Sequence, residues 1–129
     1  MALDLAAADP RIKGCCAYAP APDVRQRYKS QTIMDISRRI PDFGAFIDSV
    51  SPSRHIDALK GKPILLFTAA DDQNVPTQSV RDFAAELQHA GDTQVKLVTT
   101  ESGGHVQSMF DQGIPAGIAF LKELEARAK

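Results

Sequence analysis

One stretch, Pro63 to His105, constrains the chain more than any other. It opens with the apolar run Ile64-Leu65-Leu66-Phe67-Thr68-Ala69 and breaks at the polar turn Asp71-Asp72-Gln73-Asn74. A short apolar run bounded by turn residues predicts a buried strand. Thr77 to Ala90 follows, with Val80, Phe83, Ala84 and Leu87 on one helical face, Thr77 placed to cap the start and Gly91 just past the end. Val95 to Thr99 is the next strand. Val95 and Leu97 point to one side of it, Lys96 and Val98 to the other, and Gly103-Gly104-His105 comes soon after. Strand, helix and strand make a βαβ unit, whose strands run parallel.

Parallel strands end on a common edge of the sheet, the edge where α/β sites form. Asp72 lies just past the first strand and His105 just past the second. Adjacent strands are about 4.8 Å apart, so the carboxylate and the imidazole are within reach of each other on that rim. A carboxylate beside a histidine fixes the ring's tautomer and stabilises its protonated form, and the histidine then serves as base and acid near neutral pH. Two plainer readings stand beside this one. Asp-rich turns after strands are common because Asp and Asn bond to their own backbone, and a histidine after Gly-Gly is compatible with a simple surface turn. Asp71 also competes with Asp72 for the acid's role. His55, His89 and His105 show no metal-ligand spacing, and no metal or cofactor is expected.

Before this unit, Met1 to Asp9 has strong helix propensity and stops at Pro10. Ile12 to Tyr18 reads as a third strand, with Cys15 and Cys16 as small buried apolar residues rather than reactive thiols. Residues 23–60 change character, rich in Arg, Asp, Ser and Pro. Ile33, Ile36 and Ile40 recur at helical spacing, and so do Phe43, Phe46, Ile47 and Val50 after Pro41-Asp42. Two short helices over the sheet edge are expected, either as a plain connection or as a lid whose Phe43 and Phe46 line a substrate pocket. Asp111 to Ala128 is the closing helix, with Ile114, Ile118, Leu121 and Leu124 as its predicted buried stripe. Arg127 and Lys129 lie at its negative end.

Composition narrows the function classes. The 129 residues suit one domain, 1–129, with the lid-like insertion at about 23–60. A net charge of −1 offers no electrostatic basis for binding nucleic acid or an anionic membrane. No apolar run approaches the roughly 20 residues of a membrane span. The start lacks the pattern of a secretory signal. Adjacent Cys15 and Cys16 are no disulfide framework, which points to the reducing cytoplasm.

Asp72-x-x-Val75-Pro76 after a strand, then a helix, a strand and Gly104-His105, resembles the end of the α/β-hydrolase fold. The resemblance is nearest to the prolyl-oligopeptidase-like and dienelactone-hydrolase-like serine hydrolases. Ser51-Pro52 ahead of His55 to Lys60 is similar to the approach to the acid's strand in that family. Ala2 to Lys13 is similar to the helix and strand that follow its nucleophile elbow. The resemblance implies Asp72 as triad acid, His105 as triad base, and hydrolysis of a small ester or peptide substrate. It also implies a nucleophile in a Gly-x-Ser-x-Gly turn, in the order nucleophile, acid, histidine. These residues contain no such turn: Ser102 belongs to the histidine loop, and Ser51 and Ser53 to the connection before Pro63.

The expected architecture is therefore α/β: a partial α/β-hydrolase fold of three parallel strands with flanking helices and a short helical lid, equivalent to the C-terminal half of such an enzyme and poorly active alone. A non-catalytic half-fold, or a module that binds a ligand through the lid, is the alternative. An unpaired outer edge on the Ile12–Tyr18 strand would make it a template for another chain. A homodimer with two such edges meeting antiparallel is expected, unless the short Met1–Asp9 helix or a missing N-terminal half covers the edge.

Overall fold

The protein, described by a computed structural model over residues 1–91 and 94–127, runs α1 (Ala2–Ala8), β1 (Cys15–Tyr18), α2 (Ser30–Ser37), α3 (Phe43–Ser49), α4 (Ile56–Leu59), β2 (Ile64–Ala69), α5 (Thr77–His89), β3 (Val95–Thr100) and α6 (Ile114–Arg127). The sheet order is β1-β2-β3 and both pairings are parallel. Cys15 to Tyr18 register with Ile64 to Phe67, and Ile64 to Ala69 with Val95 to Thr100. All six residues of β2 are buried, as a central strand covered on both faces requires.

Period-2 alternation divides β2 between two cores. Ile64 and Leu66 join Leu3 and Ala6 of α1, Leu59 of α4, and Val80, Phe83, Ala84 and Leu87 of α5, with Val95 and Leu97 packed alongside. Leu65 and Phe67 point the other way, to Phe120 of α6, with Cys16, Tyr18, Val98 and Met109 around them. The predicted stripe of α5 is thus the buried one, and the predicted alternation along β3 is the observed one. At the start of α5 the expectation fails. Pro76 holds the cap position, and the Thr77 hydroxyl donates back to the Ala69 carbonyl at the end of β2 instead of capping its own helix.

The strand predicted from Ile12 begins three residues later. Ile12 N–H is spent on the Asp9 carbonyl in a turn, and pairing starts where Cys15 N–H meets the Pro63 carbonyl at 3.1 Å. Gly14 is needed at that junction, because a Cβ there would stand 2.5 Å from the Pro63 oxygen.

The closing helix departs from its predicted stripe. Ile114, Ile118 and Leu121 are 40%, 51% and 53% exposed, while Gly113, Gly117 and Phe120 are buried. The cause is close approach at glycine. A Cβ on Gly117 would lie 2.0 Å from the Tyr18 hydroxyl and 3.1 Å from its ring, and one on Gly113 would lie 3.0 Å from the Phe67 and Tyr18 rings. The helix lays this small-residue face on the sheet and turns its isoleucines aside. Lys96 of β3 bonds Glu123 at 2.9 Å, which puts that flank of α6 over β3. On the opposite flank, Leu121 lines a groove with Gly14 and Cys15 at the start of β1 and with Pro63 and Gln94 at the starts of β2 and β3. A wide turn of π type, Met109–Gly113, leads into α6. Lys129, placed by the sequence reading at the end of this helix, lies outside the described residues.

The 19–63 connection contains the two expected short helices, α2 and α3, and a further single turn, α4. The Arg25 guanidinium bridges to Asp48 at 2.9 and 2.7 Å and to the Gly44 carbonyl at 3.1 Å. Buried Ser51 accepts from Val24 N–H and donates to the Ile47 carbonyl. Together these bonds tie α3 to the chain leaving β1.

Candidate functional site

β2 and β3 end side by side, and their last residues are tied where Ala70 N–H donates to the Thr100 carbonyl at 2.7 Å. The turns beyond them therefore face each other. In the first turn, Asp72 folds its side chain inward. Its Oδ1 accepts from the Asn74 and Val75 N–H groups at 2.8 and 3.0 Å, the self-bonding habit of Asp in turns. Its Oδ2 is 2.8 Å from Nδ1 of His105, and the carboxylate is wholly shielded from solvent. Burial works to raise the Asp72 pKa. The Val75 N–H, the His105 ring and the Asn74 N–H outweigh it, so the carboxyl titrates below the ordinary aspartate value.

His105 is about a quarter exposed. With Nδ1 on the carboxylate, Nε2 is directed away from Asp72 and has no described hydrogen bond. A ring held by one nitrogen, with the other available, can take a proton from a neighbouring hydroxyl and return it.

Asp71 does not touch the imidazole. Its two carboxylate oxygens accept from the N–H groups of Gly103 and Gly104, at 3.1 and 2.8 Å, in the turn just before His105. Of the two aspartates, Asp72 contacts the ring and Asp71 the backbone leading to it. Ser108 is a residue the sequence reading passed over. It is buried, and it bonds the carbonyls of Gly103 and Gly104 through its N–H and hydroxyl. No sequence pattern marks it, since a serine three residues past a histidine carries no periodic or spacing signal.

Phe43 and Phe46 are not brought to Asp72 or His105 by any described contact. Phe43 is half-buried and Phe46 is 60% exposed on α3. The connection reaches the same rim through other residues. Val24, Val50 and Pro52 line a cavity of about 400 Å³ with Tyr18 to Ala21 at the end of β1. Ala19, in that wall, has a φ of 43°, a left-handed conformation that costs a non-glycine residue about 1–3 kcal/mol.

Among the described residues no His, Cys, Asp and Glu side chains group as a metal site would require, and no helix is long and apolar enough to cross a membrane.

The model of the prolyl oligopeptidase family matches residues 1–122. Several solved structures share the fold. An esterase of Pyrococcus furiosus superposes with a TM-score of 0.66 at 19% identity, over 95% of this chain and 48% of its own. The esterase Est2 of Thermogutta terrifontis, with propionate bound, gives 0.58 at 25% identity, over 90% of this chain and 40% of its own. Puromycin hydrolase gives 0.60 at 17% identity, over 78% of this chain and 16% of its own. The chain thus spans half or less of the length of these structures. No curated protein sequence matches it.

Proposed function

The chain belongs to the prolyl oligopeptidase family, and we propose that Asp72 and His105 are the acid and base of a serine-hydrolase triad acting on small esters or peptide bonds, whose nucleophile is supplied from outside these 129 residues. The observation that carries this reading is the 2.8 Å bond between a fully shielded carboxylate and the Nδ1 of a partly exposed histidine, on adjacent parallel strand ends. In this arrangement Asp72 holds the ring so that Nε2 meets the serine hydroxyl. The ring takes the hydroxyl proton as the oxygen attacks the acyl carbon, then returns it to the departing alcohol or amine. Asp72 stays ionised throughout, consistent with its lowered pKa. The cavity lined by Tyr18 to Ala21, Val24, Val50 and Pro52 is our candidate for the acyl part of the substrate, while Phe43 and Phe46 lie on α3 outside its lining.

The family match and the Asp72-x-x-Val75-Pro76 and Gly104-His105 motifs support a prolyl-oligopeptidase-like or dienelactone-hydrolase-like enzyme. Two free, half-buried cysteines favour the cytoplasm. The test is to join the chain to the nucleophile-bearing half of a relative and measure hydrolysis of a p-nitrophenyl ester. Asp72→Asn and His105→Gln should each lower kcat by about 10³-fold or more. Variants that keep full activity overturn the assignment.

The second reading is a non-catalytic half-fold that self-associates. It is favoured by the lack of a Gly-x-Ser-x-Gly turn in these residues together with the open outer edge of β1. Activity in the joined protein that depends on His105 argues against it.

A further inference from the structure

We propose that Asp71 and Ser108 are positioning residues for His105, acting through the two glycines that precede it; this rests on the reading of Asp72 and His105 as a working pair. Gly103 and Gly104 have φ values of +113° and +58°, conformations that glycine adopts at little steric cost. The same freedom makes a Gly-Gly turn a poor support for a side chain that must meet its partner within a few tenths of an ångström. The structure removes that freedom by engaging all four backbone polar groups of the pair. Asp71 accepts both N–H groups, at 3.1 and 2.8 Å. Ser108 N–H donates to the Gly103 carbonyl at 3.0 Å, and Ser108 Oγ donates to the Gly104 carbonyl at 2.5 Å. Packing closes the clamp further, since a Cβ on Gly103 would stand 3.0 Å from the backbone and Cβ of Ser108.

The adjacency of the two aspartates gives the arrangement its purpose. One turn, after β2, holds His105 at both ends: Asp71 grips the backbone entering the residue, and Asp72 grips the ring. Any shift of the histidine loop relative to this turn strains two sets of bonds together. A carboxylate suits the task because its two oxygens accept from two successive N–H groups in charge-assisted bonds. Asparagine has one acceptor oxygen and would turn an NH₂ group toward the second donor.

The experiment labels the three histidines of the intact chain with ¹⁵N and reads the tautomer of neutral His105, assigned with His105→Gln. In the wild type the ring should be in the Nδ1–H form, with that proton on Asp72. Asp71→Ala should convert it to a mixture with the Nε2–H form and speed hydrogen exchange of the Gly103 and Gly104 amides by about ten-fold. Asp71→Asn should fall between. Ser108→Ala should act in the same direction but less, because its N–H bond survives. A merely structural role would lower stability without moving the tautomer. An unchanged tautomer and unchanged exchange in Asp71→Ala, or in Asp71→Asn should the alanine variant not fold, overturn the proposal. A wild-type ring in the Nε2–H form overturns the Asp72–His105 pair instead, and the exchange rates then judge the clamp separately.

Discussion

Phe120 and Leu121 are neighbours on α6, and the structure assigns them opposite roles. Phe120 is 5% exposed and packs on Leu65 and Phe67 of β2; Leu121 is 53% exposed. Truncating a buried phenylalanine to alanine removes its transfer free energy and leaves a cavity, at a cost of about 3–5 kcal/mol. Fully burying a leucine is worth about 1.5–3 kcal/mol, so a half-exposed one contributes about 1 kcal/mol or less. With a urea m-value of about 2 kcal/mol/M, Phe120→Ala should lower the unfolding midpoint by about 1.5–2.5 M and Leu121→Ala by under about 0.5 M. Against a total stability of about 5–15 kcal/mol, the first loss is a large fraction of the whole. Gly117→Val checks the cause rather than the consequence. It forces a branched side chain into space held by the Tyr18 hydroxyl and should cost about 1–3 kcal/mol as overpacking, despite valine's better helix propensity. Urea titrations of the three variants at low micromolar concentration measure all of this. Equal losses for Phe120→Ala and Leu121→Ala, or a stabilised Gly117→Val, would refute the orientation of α6 and the glycine argument behind it.

On the opposite face, Phe83→Ala should cost about 3–5 kcal/mol, and a loss below about 1 kcal/mol in urea would mean that the α5 stripe is not core. Because the folded Asp72 pKa is below its unfolded value of about 3.9, the carboxylate adds stability above that value and loses it as pH falls through the folded pKa. The urea midpoint of the wild type should therefore drop below about pH 4 more steeply than that of Asp72→Asn, and parallel acid limbs would contradict the shift. The chain alone should turn over p-nitrophenyl esters far below the ordinary enzyme range of about 1–10³ s⁻¹, and a rate inside that range would refute a nucleophile supplied from outside these residues.

The parts of the fold legible in the sequence are those where pattern and packing coincide. β2 is an unbroken apolar run because both of its faces are covered, and α5 shows a clean stripe because only one of its faces is. Residue type and spacing left Asp71 and Asp72 undecided, and only the resemblance favoured Asp72, the residue that meets the ring. Both are carboxylates in one turn, and only the bonds to Asn74 and Val75 N–H turn the second inward. The stripe of α6 misled for a related reason. Periodicity weighs side chains by their hydrophobicity, whereas Gly113 and Gly117 bury themselves by having none. The cap at Thr77 failed because its hydroxyl found a long-range carbonyl, Ala69, that no local rule anticipates.

The outer edge of β1 bears on assembly. Among the described residues β1 pairs with β2 alone, so one side of Cys15 to Tyr18 has no strand beside it. Ile114, Ile118 and Leu121 share one exposed face of α6 by their spacing, and Leu121 lines a groove with Gly14 and Cys15 at the start of β1. Unpaired edges recruit strands, and contiguous apolar patches mark interfaces. The occupant expected for the purified chain is a second copy, its β1 antiparallel to the first about a two-fold axis, which joins two three-stranded sheets into one of six. Light scattering after size exclusion should then give twice the 14.0 kDa of one chain. Ile118→Lys, which leaves the sheet-facing side of α6 untouched, should return the mass to that of one chain without loss of helix content. In such a dimer the small cost of Leu121→Ala would grow with protein concentration above the low micromolar range, since the contact it weakens would lie between copies. A mass of 14.0 kDa across micromolar concentrations would leave the edge uncovered in the isolated chain and remove the dimer. A dimer indifferent to Ile118→Lys would place the contact elsewhere, away from the β1 edge.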